Sequence, residues 1–278
     1  MSKVWFITGA GSGIGAATAR AALKAGDRVV ATGRNLNKVR NALGDVAGDR
    51  LAFVQLDVAS EARAKAAVDE SMKAFGRIDV LVNNAGYSLL GNFEELSTTE
   101  IEGLISTNLY GVIHVMRAVL PVMRKQRSGW IINISSLAGV MGFKHCSAYS
   151  AAKFAVEGLS LSVAEEVEQF GIKVVAVAPG FFRTDLLDAR NARYSASTIA
   201  DYAAEGSAEA MWSGYDGKQQ GDPARLGGVL VKLAGMENPP RQFVAGSDAL
   251  AAFEPVLEGR LKALHAYKDL SRSTDGSF

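Results

Sequence analysis

A chain of 278 residues, 48% of them hydrophobic, is long enough to bury one large core, and its 30 basic against 29 acidic side chains leave a formal charge of +1. That balance offers no basic face for nucleic acid and no charge excess for a membrane surface, so the expected partner is a small, weakly charged molecule. The single cysteine, Cys146, excludes an intrachain disulfide, and no Cys/His cluster has the spacing of a zinc site. No metal is expected, and a reducing cytoplasm fits this composition.

In chain order, near-continuous apolar runs at Val4 to Ile7, Arg28 to Ala31, Leu51 to Val54, Val80 to Val82, Trp130 to Ile134, Lys173 to Val177 and Gln242 to Ala245 read as strands covered on both faces. Between them lie helical patterns, Ala16 to Ala25 closed by Gly26 and Ala62 to Phe75 closed by Gly76, then longer ones around Thr98 to Val122 and Ser150 to Gln169. Repeated strand-helix units predict an α/β fold: a doubly wound, Rossmann-like parallel sheet of about seven strands with helices on both faces, one domain across 1–278. Within it, 181–217 reads as a hinge-rich substrate lid and 250–278 as a helical extension with a fraying tail. The apolar runs are too short for the roughly 20 residues that span a bilayer.

Two features carry chemistry. Thr8-Gly9-Ala10-Gly11-Ser12-Gly13-Ile14-Gly15 leaves the first strand and enters the first helix. Glycines 9, 13 and 15 allow a tight turn and close approach of backbone to a pyrophosphate, and the helix start adds free N–H groups. Tyr149 and Lys153, four residues apart, share a helical face, where the ammonium favours ionisation of the phenol. Bringing a phenol from a pKa near 10 to neutrality takes roughly 4 kcal/mol. A nucleotide loop beside a tuned tyrosine suggests hydride transfer.

The ordered set Thr-Gly-x-x-x-Gly-x-Gly, Asp57, Asn83-Asn84-Ala85-Gly86, Asn108, Ser136, Tyr149-x-x-x-Lys153, Pro179-Gly180 and Thr184 resembles the short-chain dehydrogenase/reductase family over about 185 residues. The resemblance implies a cofactor cradle of Gly9, Ser12, Gly13, Ile14, Gly15, Arg34, Asp57, Val58, Asn84, Ala85, Gly86, Tyr149, Lys153, Pro179, Gly180 and Thr184. Asp57 would hold the adenine amino group and Thr184 the carboxamide. It also implies catalytic roles: Tyr149 as acid or base, Ser136 on the substrate oxygen, Lys153 on the nicotinamide ribose, and Asn108 holding a water that links Lys153 to solvent. Ser135 would support the backbone beside Ser136. Association as a homodimer or homotetramer through the two long helices is implied too, with Leu104, Leu109, Val112, Val115 and Val119 shared between core and interface.

At the end of the second strand, Gly33 stands where an acidic side chain would accept the ribose hydroxyls of NAD, and Arg34 follows with a fork suited to a 2′-phosphate. NADP is therefore favoured over NAD. The expected substrate walls, Tyr87 to Phe93, Leu137 to Phe143 and Phe181 to Tyr215, are mostly apolar, and Phe143, Phe182 and Trp212 join Ser136 and Tyr149 as substrate-binding residues. They suit a hydrophobic ketone, aldehyde or alcohol, since Arg183, Arg190 and Arg193 are dispersed. His145 and Cys146 read as site rim and His114 as a packed or interface residue. Two other readings stay open: a dinucleotide-binding regulatory module without turnover, and an epimerase or dehydratase on a nucleotide sugar.

Overall fold

The computed structural model describes residues 2–46, 48–188, 191–203 and 206–276. Arg190 and parts of the lid lie outside these described residues. The main sheet has seven parallel strands in the order β3-β2-β1-β4-β6-β7-β9. They are β1 Val4–Ile7, β2 Arg28–Gly33, β3 Leu51–Gln55, β4 Val80–Asn83, β6 Gly129–Ile134, β7 Ile172–Pro179 and β9 Gln242–Ala245. All seven predicted strands are present, several one or two residues longer. A two-stranded parallel sheet, β5 Leu89–Leu90 with β8 Arg193–Tyr194, was not anticipated, because two residues leave no periodicity to read.

Alternation along each strand builds two cores. Val4 and Phe6 face one layer with Val115 and Val156, whereas Trp5 and Ile7 face the other with Ala19 and Leu226. The first layer is covered by α3 Glu61–Phe75, α5 Gly111–Gln126 and α6 Ser147–Val167, the second by α1 Gly13–Lys24, α2 Leu36–Leu43 and α9 Pro223–Leu233. Fully burying a side chain such as Phe6 or Ile7 contributes about 1.5–3 kcal/mol. Gly76 ends α3 in the left-handed region, as expected, but α1 starts three residues earlier than its apolar pattern, with Gly13 and Gly15 inside its first turn.

The long helix expected at 98–122 is interrupted. α4 Thr98–Ile105 and α5 are joined by a π-helical turn, Ser106–Tyr110, that contains Asn108. The whole stretch Thr98–Gln126 is long and apolar enough to cross a membrane by length and composition, contrary to the sequence expectation. Its Leu104, Val112, Val115 and Val119 are nevertheless buried in the protein's own cores, which also removes them from the proposed interface. Leu109 is half-buried, and exposed Tyr110 and Phe154 remain on the outside.

The lid segment carries α7 Ala200–Ala203 and α8 Ala208–Ser213. Two serines of the segment have ordering roles: Ser207 caps α8, and Ser195 N–H donates to the Leu90 carbonyl. The extension forms α10 Ser247–Ala266 and α11 Lys268–Arg272. Its start packs on Leu137, Val140 and Phe143 and on Val244 of the edge strand β9.

Candidate active site

Strand order reverses between β1 and β4, so the loops leaving their carboxyl ends diverge and open a crevice. The glycine loop follows β1. A Cβ on Gly15 would lie 2.4 Å from the Gly9 carbonyl oxygen, and one on Gly9 would lie 2.9 Å from the Ala85 Cα, so backbone here is packed as closely as backbone can be. Thr8 Oγ1 accepts from the amides of Asn84 and Ala85, while Asn84 Nδ2 donates to the carbonyls of Thr8 and Gly9. Asn84 thereby braces the loop as well as facing the crevice. Thr184, from the lid, sits over Gly13.

The crevice continues into a cavity of about 470 Å³ lined by Gly9, Ser12, Gly13, Ile14, Arg34, Asp57, Val58, Asn84, Ala85, Gly86, Ser136, Tyr149, Lys153, Pro179, Gly180 and Thr184. Gly15 and Asn108 stand behind that wall. Sequence reasoning missed Lys38, whose stem packs over Gly11 beside Arg34 and whose ammonium lies 3.8 Å from Asp185 across the opening. Its position one turn into α2 would have flagged it. At Gly33 a Cβ would lie 2.8 Å from Val39 Cγ2, so Val39 fills the space that an acidic side chain would need.

At the reacting end, β6 delivers Ser136 and α6 delivers Tyr149 and Lys153. Ser136 hydrogen-bonds the Tyr149 phenol and its Oγ also accepts from the Ala138 amide. Ser135 turns away and donates to the Lys153 carbonyl, the supporting role expected of it. Lys153 Nζ donates to the Ile134 carbonyl at 2.9 Å and lies 5.7 Å from the centre of the Tyr149 ring. Burial pushes Tyr149 up to about 12, opposed by the bond from Ser136, and pushes Lys153 down to about 8, opposed by Glu157. A phenol tuned toward neutrality by Lys153 is therefore not what the protein alone provides. Desolvation by burial is the leading cause.

Asn108 is fully buried, and both ends of its amide engage the backbone of Tyr87, accepting from N–H at 3.1 Å and donating to C=O at 2.9 Å. It holds the loop after β4 in place from within the π turn, a helical irregularity often found at functional sites. Asp57 Oδ1 accepts from the Ala59 amide. Cys146 is buried with its thiol pushed up to about 12 by desolvation, which suits wall and not nucleophile. His145 is buried with φ 61, and His114 Nδ1 bonds the Val58 carbonyl as a packed residue.

The apolar wall differs from expectation at one position. Phe181 stacks on Tyr215 and leans on Trp212, which meets Phe143 edge to face. Phe182 touches the cavity but its ring packs over Gly221 and into the core layer with Ile14, because adjacent residues of extended chain face opposite ways. Arg193 lies over the Tyr87 ring at 4.4 Å. Asp248, at the start of α10, accepts from the Phe181 amide at 2.7 Å and fixes the direction in which the chain leaves β7. Trp212 Nε1 and Gln219 Oε1, both in residues lining the cavity, are buried without a protein hydrogen-bond partner among the described residues. The glycine cradle, which a Cβ at Gly9 or Gly15 would fill, and the crevice beside it fit a dinucleotide with a substrate beyond it.

A phosphate-cradling loop at the switch point and a Ser-Tyr-Lys group at the far end define a nucleotide-dependent oxidoreductase. The sequence profile described as short chain dehydrogenase matches residues 3–195, and the chain belongs to that family. It is 37% identical over 250 residues to oxidoreductase BOA17 of Botryotinia fuckeliana, covering 90% of this chain and 91% of that one. It is 38% identical over 248 residues to a 3-ketodihydrosphingosine reductase of Bacteroides thetaiotaomicron, covering 88% of each. A short-chain dehydrogenase structure from Streptomyces avermitilis superposes with a TM-score of 0.90 at 36% identity, covering 99% of this chain and 100% of that one.

Proposed function

We propose that this protein is an NADP(H)-dependent reductase of hydrophobic carbonyl compounds, or a dehydrogenase of the matching alcohols. The observation that carries the reading is the Ser136-Tyr149-Lys153 group set at the end of a dinucleotide crevice and facing the Phe143-Phe181-Trp212 wall. NADP is favoured by Arg34 at the crevice mouth and by Val39, which excludes an acid at position 33. The relative that acts on 3-ketodihydrosphingosine supports a long apolar ketone.

A bound nicotinamide dinucleotide supplies or accepts the hydride. The chain's own residues manage the proton. Tyr149 gives its hydroxyl proton to the substrate oxygen during reduction and takes it back during oxidation, and Ser136 hydrogen-bonds the same oxygen as charge develops. Lys153 places an ammonium near the phenol, and Asn108 keeps the Tyr87 loop in register. Exposed Tyr110 and Phe154 support a homodimer or homotetramer built on the long helices, and a cytoplasmic location fits the buried, reduced Cys146.

Turnover tests the reading. The purified protein should oxidise NADPH faster than NADH with some member of a panel of aliphatic, aromatic and steroid-like ketones, and should run the reverse reaction with the alcohols. Tight NADPH binding with no turnover across the panel would favour the regulatory module instead.

A further inference from the structure

The last turns of α10 stand clear of the fold. From residue 257 to 276 every described residue is exposed, although the helix begins against Leu137 and Val140 and is pinned by Arg260 donating to the Val140 carbonyl. A helix of this kind is marginal in water without a tertiary partner. Leu250, Leu257, Leu261 and Leu264 are 57%, 48%, 56% and 64% exposed, and their spacing of seven, four and three places them on one narrow stripe along a helix about 30 Å long. An apolar stripe of this length is not left in water by a stable monomer.

Beside that stripe runs a second ridge, Glu254, Glu258, Lys262 and His265, spaced four, four and three. Its first half is acidic, and its second half carries Lys262 beside His265. When two identical helices pack antiparallel, the same flank of each faces the other in reverse order. Glu254 and Glu258 of one copy then face His265 and Lys262 of the second, the leucine stripes meet, and a twofold axis passes near residue 260. Parallel packing would not bring the acidic half of this ridge against its basic half. The pattern is self-complementary in the antiparallel twofold pair and not in the parallel one.

We propose that α10 is an interface with a second copy of this chain, formed by antiparallel pairing of the Leu250-Leu257-Leu261-Leu264 stripe. This surface is separate from the one around Tyr110 and Phe154. It does not depend on the reading of the substrate. Because Asp248 in the first turn of α10 holds the Phe181 amide, and α10 rests on the Leu137 wall, pairing also steadies two sides of the substrate cavity.

The experiment measures mass by light scattering and sedimentation on the full chain. Leu261→Glu places two charges at the axis and should weaken association at least tenfold, halving the assembled mass at micromolar concentration while circular dichroism stays native. Glu254→Lys with Glu258→Lys should weaken it as well, and adding Lys262→Glu with His265→Glu should restore it. Leu261→Cys should cross-link to itself under mild oxidation, whereas Leu257→Cys and Leu264→Cys should cross-link better mixed than alone. An unchanged mass in Leu261→Glu, failure of the charge restoration, or a wild type that is monomeric at tens of micromolar overturns the proposal. So does a stripe that binds phosphatidylserine vesicles and never a second copy.

Discussion

Glu157 stands one helical turn beyond Lys153 on α6, and both side chains are buried. Glu157 Oε2 accepts from Gln242 Nε2 on β9, which ties the active-site helix to the edge strand, and its charge favours the Lys153 ammonium that burial disfavours. Glu157→Gln keeps the shape and removes the charge. Lys153 should then lose its proton at a pH below its present value of about 8. The alkaline limb of kcat/KM should move down by up to about one unit, the low end of what a neighbouring charge produces. A limb that does not move would show that Glu157 only anchors β9.

Tyr149→Phe removes the transferable proton and keeps the ring. It should lower turnover by about 10² to 10⁴-fold, the range for a lost general acid, while cofactor affinity by fluorescence titration changes little. Wild-type turnover in this variant at every pH would remove Tyr149 from the chemistry.

Lys153 should cost stability at neutral pH. Its folded pKa of about 8 lies below the unfolded value of 10.5, so the unfolded chain binds more protons between these values and stability rises with pH across that window. The contribution is complete above 10.5 and lost as pH falls through 8. Lys153→Met should therefore be more stable than wild type at pH 7, by roughly 3 kcal/mol at about 1.4 kcal/mol per unit, and inactive. Denaturant melts at pH 7 and pH 10 check this: an advantage that does not shrink at pH 10 contradicts the account.

Arg34→Ala should raise KM for NADPH at least tenfold and leave KM for NADH nearly unchanged, because only NADPH presents a 2′-phosphate. Gly33→Asp alone should destabilise by about 1–3 kcal/mol through overpacking against Val39. Gly33→Asp with Val39→Ala should recover the fold and prefer NADH. Equal KM changes for both cofactors in Arg34→Ala would make that residue an ordinary surface charge.

The segment 181–217 is clasped by Glu95, whose carboxylate accepts from the amides of Thr198 at 2.7 Å and Ile199 at 2.9 Å. The Ile199 N–H leads in holding this carboxyl below its usual value of 4.5, so the clasp is present at neutral pH and loosens as pH falls through the lowered value. Glu95→Ala should speed hydrogen exchange at Thr198 and Ile199 about tenfold and leave α1 unaffected. Trp212→Ala should penalise bulky ketones by about 1–3 kcal/mol relative to small ones. Unchanged exchange and an unchanged substrate ranking would move specificity to the Leu137 to Phe143 wall.

Sequence by itself determined the sheet, the glycine loop and the Tyr149-Lys153 pair, because each is written in local terms: continuous apolar runs, glycines at fixed offsets, and two side chains one turn apart. Only the tertiary structure decided which neighbour acts. Phe181 and not Phe182 joins the aromatic wall, since the two face opposite ways from extended chain. Asn108 is taken up by the Tyr87 backbone because a π turn, invisible in apolar spacing, rotates it inward. The phenol's pKa rises instead of falling, since burial of both Tyr149 and Lys153 is a property of the packed core and not of their separation along the chain. Glu157 and Asp248 act across 85 and 67 residues of sequence on Gln242 and Phe181. Such relations are made when distant segments pack, and no short stretch of sequence contains them.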